Sequence, residues 1–436
     1  MKIKKYFTTN HIIEGLGLAI LLSAFIYIEH FALLKGYYLA TLETLLALIG
    51  LYGLLNAKTP VWFFSGLFLA IFWLWWMGIS FIYYHLSFLV PFVIIAIGLI
   101  YGLIFLFFAY FSKKLAKALE RKFLALNWEK SVILFRAISL IAINYIEPFG
   151  FNWFKLEFAF TDSAFSSSWY VYPSVLIILA IYSIFKRWYI LLPLFAFISF
   201  LNPLELSPSS LRDIKLISTN IDVRDKWQNK NQLKYTNFAL SQVDKAIQEN
   251  KKLIIFPESI LPYFLNLDQT VMKPLLEKSN KITIIIGSLF FKSQGNFRNS
   301  AYIIKDGDYK IANKVVLVPF GEANPLPKWM SKIVNKIFFD GAVDYKADSN
   351  FTYIDVLNKS MKIAICYEGT SAITYKDKPK FLILISNNGW FKPSIEPTLQ
   401  KIIIKHFSKV DNTTIYHAVN GSKAYVIVPH PRLSSE

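Results

Sequence analysis

The chain contains a single cysteine, Cys366, in surroundings typical of a residue that does chemistry. It ends a short apolar run and is followed directly by Tyr367 and Glu368. One thiol cannot form an intramolecular disulfide, and it has no second cysteine with which to hold a metal. The residue is therefore either a small buried core side chain or a nucleophile. Its position where a predicted strand ends favours the nucleophile, which needs charged neighbours to become reactive.

Two other polar strings also follow predicted strands, and both lie upstream of the cysteine. Glu258 stands in the string F-P-E-S, and Lys314 precedes the string V-P-F-G-E that ends at Glu322. A carboxylate can accept the proton of a thiol, whereas an ammonium can stabilise a thiolate and a tetrahedral oxyanion. Taken singly, Glu258 could be an ion-paired carboxylate and Lys314 a solvated surface lysine. Taken together, the three residues predict a Glu-Lys-Cys catalytic centre.

The elements that must position these residues fall into two halves of different composition. Residues 1–205 consist of long apolar runs with few charges, and residues 206–436 have the mixed composition of a soluble α/β domain. Runs of about 18 or more apolar residues are typical of membrane spans. We therefore predict a membrane α-helical bundle of seven transmembrane helices in residues 1–205, with spans at residues 12–34, 39–57, 60–84, 86–111, 131–149, 170–185 and 188–201.

The basic residues of the short loops are distributed asymmetrically. Twelve lysines and arginines lie in the loops on one side of the predicted spans, against only Lys35 and Lys155 on the other. Cytoplasmic loops carry the excess of positive charge. We therefore predict an inner-membrane protein with a cytoplasmic N-terminus and, after seven spans, a periplasmic catalytic domain. No RNA- or DNA-binding motif accompanies the net charge of +18, so we expect it to meet anionic lipid headgroups and not nucleic acid.

The second half of the chain, residues 206–436, alternates short β-branched strands with helices. Strands that end in polar strings are typical of an α/β sandwich whose site lies at the strand ends. Strands are predicted at residues 213–220, 253–256, 282–289, 301–305, 309–313, 362–366, 381–386, 414–420 and 423–428, and helices at 229–250 and 396–411. The turns at residues 305–308 and 420–421 predict two hairpins.

The soluble half resembles the nitrilase, or carbon–nitrogen hydrolase, superfamily, whose members use a Glu-Lys-Cys triad on an αββα sandwich. The whole chain resembles the membrane-embedded branch of that superfamily, the apolipoprotein N-acyltransferase family. F-P-E-S is similar to the family string W-P-E-[ST/A], the segment from Lys314 to Glu322 is similar to K-x-x-L-V-P-F-G-E, and the segment that begins at Cys366 matches C-Y-E. This resemblance implies that Glu258 is the general base, Lys314 the triad lysine and Cys366 the nucleophile.

The same resemblance implies supporting and substrate-binding residues. S-N-N-G-W-F resembles S-N-D-x-W-F, T-N-I with its downstream tryptophan resembles Q-x-N-[IV], and G-F-N-W resembles G-F-P-W. The implied residues are Glu322, Tyr367, Glu368, Trp227, Asn387, Trp390 and Trp153. No cofactor and no metal are implied, and the histidines do not cluster at metal-ligand spacing.

Several positions depart from the family pattern. Phe256 replaces the usual tryptophan, Asn388 an aspartate and Asn152 the loop proline, and Lys401 stands where the family has a histidine. The family's final transmembrane helix has no counterpart before residue 436. None of these differences touches the triad, so we expect an active enzyme.

The resemblance implies a two-step acyl transfer. The Cys366 thiolate attacks an ester of a membrane phospholipid and forms a thioester. The α-amine of the N-terminal diacylglyceryl-cysteine of an apolipoprotein then attacks that thioester. Covalent catalysis splits one difficult transfer into two easier steps. Water must be kept from the thioester, which is a role for the aromatic loop that contains Trp153.

Two alternatives remain open. A membrane-tethered amidase or nitrilase that hydrolyses a small amide would share the triad but have a small, water-accessible pocket, whereas acyl transfer requires a long apolar groove that opens to the bilayer. A transporter or receptor whose soluble half only binds a ligand would show inverted or broken repeats in the spans, and the sequence shows none.

Overall fold

The computed structural model describes residues 8–33, 36–83, 85–122, 128–199, 202–326 and 344–429. The chain falls into two compact units. The first, here called the membrane unit, comprises Met1–Pro148, Asn152–Asn202 and Ser394–His406. The second, the sandwich unit, comprises Phe149–Phe151, Pro203–Pro393 and Phe407–Glu436. Phe149–Phe151 thus belong to the sandwich unit although they lie in the first half of the chain, and Ser394–His406 belong to the membrane unit although they lie in the second half.

The apolar runs of the membrane unit form helices, because a helix satisfies its own backbone hydrogen bonds where no water is available. The helices are α1 Thr9–His30, α2 Gly36–Asn56, α3 Thr59–Leu74, α4 Ser80–Tyr83, α5 Val90–Lys122, α6 Trp128–Ile143 and α7 Val171–Phe185. Short 3₁₀ helices cover Trp75–Ile79, Ser87–Leu89, Leu156–Phe160 and Trp188–Phe197.

Five helical segments of the described residues are long and apolar enough to cross a membrane. They are Thr9–His30, Gly36–Asn56, Thr59–Tyr83, Ser87–Glu120 and Glu129–Gly150. Two shorter apolar helices, Val171–Phe185 and Trp188–Phe197, occupy the positions of the sixth and seventh predicted spans. About 20 helical residues are needed to cross the hydrocarbon core, and α7 has 15. The chain thus has an N-terminal helical membrane domain with five candidate spans, two fewer than the sequence predicted.

Glycines set the spacing of three membrane helices. A Cβ added to Gly15 in α1 would lie 2.5 Å from the Cβ of Phe64 in α3. One added to Gly66 in α3 would lie 2.7 Å from the carbonyl oxygen of Tyr101 in α5. Burying apolar surface between helices in lipid releases little free energy, so membrane helices associate through close packing, which small residues allow.

The sandwich unit is built on two β-sheets. Their strands are β1 Leu204–Leu206, β2 Ile214–Leu216, β3 Ser218–Thr219, β4 Leu253–Ile255, β5 Leu261–Phe264, β6 Thr283–Ser293, β7 Asn296–Lys305, β8 Asp308–Asn313, β9 Tyr353–Val356, β10 Lys359–Ile365, β11 Phe381–Asn387, β12 Thr414–Asn420 and β13 Tyr425–Val428. One sheet has the order β1-β13-β12-β11-β10-β9 with β3 beside β12, and the other β2-β4-β6-β7-β8 with β5 beside β6.

The core lies between the sheets and beneath the helices. The helices of the second half are α8 Val223–Lys226, α9 Gln232–Gln248, α10 Gln269–Ser279, α11 Ala372–Tyr375 and α12 Glu396–Asp411. Because side chains alternate along a strand, Ile255 of β4 packs with residues of the opposite sheet such as Ile363. Its neighbour Ile254 packs with Val243 of α9 and Leu275 of α10. The unit is therefore an α/β sandwich with helices on an outer face.

The two predicted hairpins are confirmed as β7–β8 and β12–β13, both antiparallel. The strand predicted at residues 213–220 is wrong in one respect. Its first half, β2, pairs with β4 of one sheet, whereas its second half, β3, pairs with β12 of the other. The chain crosses between the sheets here, and because tertiary pairing decides this, a local pattern of apolar residues does not reveal it.

Candidate active site

Three strands of the sandwich unit lead to the residues that the sequence singled out. Glu258 comes shortly after β4, Lys314 directly after β8 and Cys366 directly after β10. β4 and β8 belong to one sheet and β10 to the other. Their side chains nevertheless come together: Lys314 Nζ lies 3.7 Å from Glu258 Oε1, and both charges act on the Cys366 thiol. The structure therefore assembles the predicted Glu-Lys-Cys constellation at the strand ends.

The turn that carries Glu258 lies against the backbone of β6. Ser259 has a φ of 49°, in the left-handed region. A Cβ at Gly287 would lie 2.5 Å from the Pro257 carbonyl oxygen and from the Ser259 nitrogen. Only glycine leaves room for a backbone this close. Gly287 thus allows the turn to bury Glu258, which is 6% exposed.

Lys314 is a buried ammonium held between two carboxylates. Its Nζ lies 2.7 Å from Glu322 Oε2 and 3.7 Å from Glu258 Oε1. Burial by itself lowers the pKa of a lysine. Here the Glu322 and Glu258 carboxylates outweigh burial and raise the pKa of Lys314 above its ordinary value. The lysine therefore keeps its positive charge throughout the physiological range.

The two carboxylates differ in how completely their oxygens are used. Asn299 Nδ2 donates to Glu258 Oε1 at 2.7 Å and to Glu322 Oε1 at 2.8 Å. Glu322 Oε2 also accepts from the Val318 backbone nitrogen at 2.9 Å and faces Lys314. Glu258 Oε2, in contrast, is buried and has no hydrogen-bond partner among the described residues. Glu258 therefore has an oxygen available to accept a proton, whereas both oxygens of Glu322 are engaged.

Cys366 stands at a tight turn directly after β10. Its φ of 54° lies in the left-handed region, which costs energy for a residue with a side chain and is typical of a functional position. Burial raises the pKa of the Cys366 thiol well above its usual value, and the Glu258 carboxylate raises it further, against the opposing effects of Lys314 and a hydrogen bond from the Asn387 backbone. The resting thiol is therefore protonated, and a base would be needed to turn it into a nucleophile.

Glu368 fastens the loop after Lys314 to the turn that carries Cys366. Its Oε1 accepts from the backbone nitrogens of Val315 and Val316 at 2.5 and 3.0 Å, and its Oε2 accepts from that of Ile365 at 2.6 Å. Burial raises the pKa of Glu368 to about 7, against the lowering effects of Lys314 and these backbone donors. The resemblance predicted a supporting or substrate-binding role for Glu368, and that role stays a prediction. Its hydrogen bonds to three backbone nitrogens are what a supporting role requires.

Tyr367 contacts a short segment that the chain contributes from between its membrane helices. Its hydroxyl donates to the Gly150 carbonyl oxygen at 3.0 Å, and its ring stacks on Phe151 with centroids 5.9 Å apart. The neighbouring Phe149 ring lies 5.4 Å from that of Phe320, in the loop between Lys314 and Glu322. All of these residues belong to the sandwich unit.

The other predicted supporting residues occupy different positions. Trp227 follows α8 directly, as its C-cap, and is 37% exposed. The Asn387 side chain accepts from Asn420 Nδ2 at 2.7 Å, so it braces the ends of β11 and β12 while its backbone faces the thiol. Trp390 is half-buried in the 3₁₀ turn Asn388–Phe391.

Trp153 lies in the membrane unit and is 3% exposed, with its ring 5.0 Å from that of Trp76. Its large apolar surface contributes to the packing of that unit. The substrate-binding role that the resemblance implies for it stays a prediction.

Two residues that contact Glu258 were missed by sequence reasoning. Asn299 lies on β7 and bridges both carboxylates. Lys226, the last residue of α8, is fully buried and donates to the Glu258 backbone carbonyl at 2.9 Å. A polar side chain inside an apolar strand was the only available signal for Asn299, and nothing local distinguished Lys226 from a surface lysine.

Comparisons with known proteins agree with this arrangement. Residues 9–203 match the family described as the apolipoprotein N-acyltransferase integral membrane domain, and residues 222–409 match the carbon-nitrogen hydrolase family. An apolipoprotein N-acyltransferase of Wolinella succinogenes is 36% identical over 94% of this chain and 94% of its own. One of Campylobacter jejuni is 33% identical over 100% of this chain and 94% of its own.

A third relative extends this similarity. An apolipoprotein N-acyltransferase of Helicobacter pylori is 30% identical over 92% of this chain and 91% of its own. Identity at this level covers the membrane domain and the catalytic domain together. The chain therefore belongs to the apolipoprotein N-acyltransferase family and is an acyltransferase whose catalytic half is of the carbon–nitrogen hydrolase type.

Proposed function

We propose that Cys366 is the nucleophile, Glu258 the general base and Lys314 the charge stabiliser of an acyl transfer from a membrane phospholipid to an apolipoprotein. The observation that carries this proposal is Glu258 Oε2, which has no hydrogen-bond partner in the described part of the chain, together with a Cys366 thiol that is protonated at rest. A base needs a free oxygen and a nearby acidic proton, and both are present. Glu322 holds Lys314 in place through its 2.7 Å ion pair.

In the first step, Glu258 takes the thiol proton as the Cys366 sulfur attacks the ester carbonyl carbon of the phospholipid. The Lys314 ammonium stabilises the oxyanion of the tetrahedral intermediate. When the intermediate collapses, the C–O bond breaks and the leaving alkoxide takes the proton from Glu258. A lysophospholipid departs, and the acyl chain remains on Cys366 as a thioester.

In the second step, the α-amine of the N-terminal diacylglyceryl-cysteine of the apolipoprotein attacks the thioester carbonyl. Glu258 accepts a proton from the amine, and the collapse of the intermediate breaks the C–S bond. The thiolate then recovers its proton from Glu258, which restores the resting site. Both steps use the same base and the same ammonium, so the chain's own residues account for the proton balance.

The cellular arrangement belongs to the same proposal. We infer seven membrane crossings in residues 1–205, an αββα catalytic domain in residues 206–436, a cytoplasmic N-terminus and a periplasmic site in the inner membrane. The asymmetry of basic residues in the loops supports this orientation. An alkaline phosphatase reporter fused after Ser209 should be active and one fused within residues 113–130 inactive. The reverse result would place the site in the cytoplasm.

The reaction is tested on the purified protein in detergent with phospholipid. Mass spectrometry should find one acyl chain on Cys366, and a diacylated lipopeptide should then remove it and become N-acylated. The competing function, hydrolysis of a small amide by a membrane-tethered amidase, makes a different prediction. Ammonia release from small amides, with no acyl chain on Cys366, would favour the amidase and contradict the transferase mechanism.

A further inference from the structure

Lys226 is a buried lysine whose charge no carboxylate of the described residues neutralises directly. The side chain is 0% exposed, and its Nζ donates to the Glu258 backbone carbonyl at 2.9 Å. No carboxylate oxygen of the described residues lies within 4.0 Å of it. Lysines are almost never fully buried without a partner, because removing an ammonium from water is costly. Such a position is therefore evidence of a role.

The other two fully buried lysines of the sandwich unit show what ordinary compensation looks like. Lys314 has Glu322 at 2.7 Å. Lys362 has Asp377 at 2.5 Å and the Thr374 carbonyl at 2.8 Å. An ammonium has three N–H donors, and the described residues occupy only one donor of Lys226.

The charged and titratable groups around Lys226 are those of the catalytic site. Burial lowers the pKa of Lys226 to about 8, while the Glu258 carboxylate and the Cys366 thiol act in the opposite direction. Glu258 itself faces Lys314 at 3.7 Å and shares Asn299 with Glu322. At neutral pH Lys226 is therefore mainly cationic, and its charge lies close to the proposed base.

The backbone explains why this lysine is needed. Phe256 is the last residue before Glu258 whose backbone nitrogen still donates across the sheet, to the Ile285 carbonyl at 2.8 Å. After Phe256 the turn that carries Glu258 packs against the backbone at Gly287. Lys226 donates to the Glu258 carbonyl the hydrogen bond that a neighbouring strand would provide within the sheet.

We propose that Lys226 is a positioning residue, whose hydrogen bond to the Glu258 carbonyl fixes the turn that holds the Glu258 carboxylate in place. This inference rests on the proposed function, in which Glu258 activates Cys366. Misplacing a reacting group by about 1 Å can slow a reaction by about 100-fold. Removing this hydrogen bond should therefore slow the acylation of Cys366 without weakening the binding of the phospholipid.

The test is single-turnover labelling of Cys366 by a fluorescent phospholipid over a range of phospholipid concentrations. Lys226→Met should lower the saturating rate of acylation about tenfold and leave the half-saturating phospholipid concentration unchanged. Lys226→Arg, which keeps a donor at this position, should recover most of the wild-type saturating rate. Lys362→Met is the matched control, because it removes another buried lysine that donates to a backbone carbonyl and should leave the saturating rate unchanged.

Thermal unfolding of each variant shows whether a loss of rate comes from unfolding or from a misplaced Glu258 turn. A folded Lys226→Met protein with the wild-type saturating rate would overturn the proposal. An equal loss of rate in Lys362→Met would also overturn it, since the effect would then be a general one of buried charge. If the wild-type protein takes no acyl chain on Cys366 at any pH, the proposed function itself is wrong, and this inference fails with it.

Discussion

The two units of the molecule both bury ionic clusters, but they arrange them differently. In the membrane unit, Lys405 lies 3.2 Å from Glu29 and 3.1 Å from Asp162, and Lys401 lies 3.2 Å from Glu29. Both acids of this cluster, Glu29 and Asp162, therefore form an ion pair with a lysine. In the sandwich unit, one oxygen of Glu258 is left without a partner among the described residues.

The difference teaches how to distinguish a structural cluster from a reactive one. A buried network in which every charge is paired fixes one arrangement of the chain, and its disruption is costly. The cluster in the sandwich unit differs, because Glu258 Oε2 has no hydrogen-bond partner among the described residues and could accept the proton of the Cys366 thiol. We therefore expect substitutions in the two clusters to have separable effects, on stability in the membrane unit and on chemistry in the sandwich unit.

The largest effect should come from Cys366→Ala. Because the substitution removes only a thiol, acyl transfer should be lost completely while expression and membrane insertion stay at wild-type levels. The measurement is mass spectrometry of a diacylated lipopeptide after incubation with phospholipid and the variant. Any N-acylated product above the level without enzyme would show that the sandwich unit reacts through another residue.

The next largest effect should separate the two carboxylates. Glu258→Gln removes the open acceptor and should slow thioester formation by about 10²–10⁴-fold, the usual contribution of a positioned general base. Glu322→Gln weakens the hold on Lys314 but leaves the base, so some acyl-enzyme should still accumulate. Single-turnover labelling of Cys366 measures both rates. If Glu258→Gln acylates at the wild-type rate and fails only when the lipopeptide is added, the two roles must be exchanged.

A smaller effect should appear in the acidity of the thiol. The Glu258 carboxylate raises the pKa of Cys366 and Lys314 lowers it. The pH dependence of alkylation by iodoacetamide should therefore move to lower pH in Glu258→Gln and to higher pH in Lys314→Met. Shifts in the same direction would mean that packing, and not charge, controls the thiol.

The smallest effect on chemistry should come from the membrane unit. Lys405→Met leaves Asp162 without its cation and should destabilise the protein by about 3–5 kcal/mol, the usual cost of breaking a buried pair. The folded fraction should still acylate Cys366 with the wild-type pH profile. Thermal unfolding in detergent measures the first effect and single-turnover labelling the second. A shifted profile would mean that the paired cluster also takes part in the chemistry.

The parts that the sequence predicted are those that local patterns control. Apolar runs predicted the long helices, turn residues predicted both hairpins, and polar strings after strands located Glu258, Lys314 and Cys366. These features depend on neighbours along the chain, so a single sequence contains them.

The parts that sequence reasoning missed depend on contacts between distant segments. The strand at residues 213–220 divides between two sheets because different partners pair with its halves. The ring contact between Trp153 and Trp76 joins residues that are far apart in sequence. Lys226 becomes significant only because the Glu258 carbonyl lies 2.9 Å away.

The protonated resting state of the one cysteine also affects how readily it is oxidised. Oxidation to sulfenic acid and beyond begins from the thiolate, so a thiol whose pKa is raised is a poor target for oxidants. In an oxidising compartment such as the proposed periplasm, a second cysteine could capture the proposed nucleophile in a disulfide, and the sequence contains none. The environment that raises the pKa of Cys366 therefore also protects the thiol from oxidation.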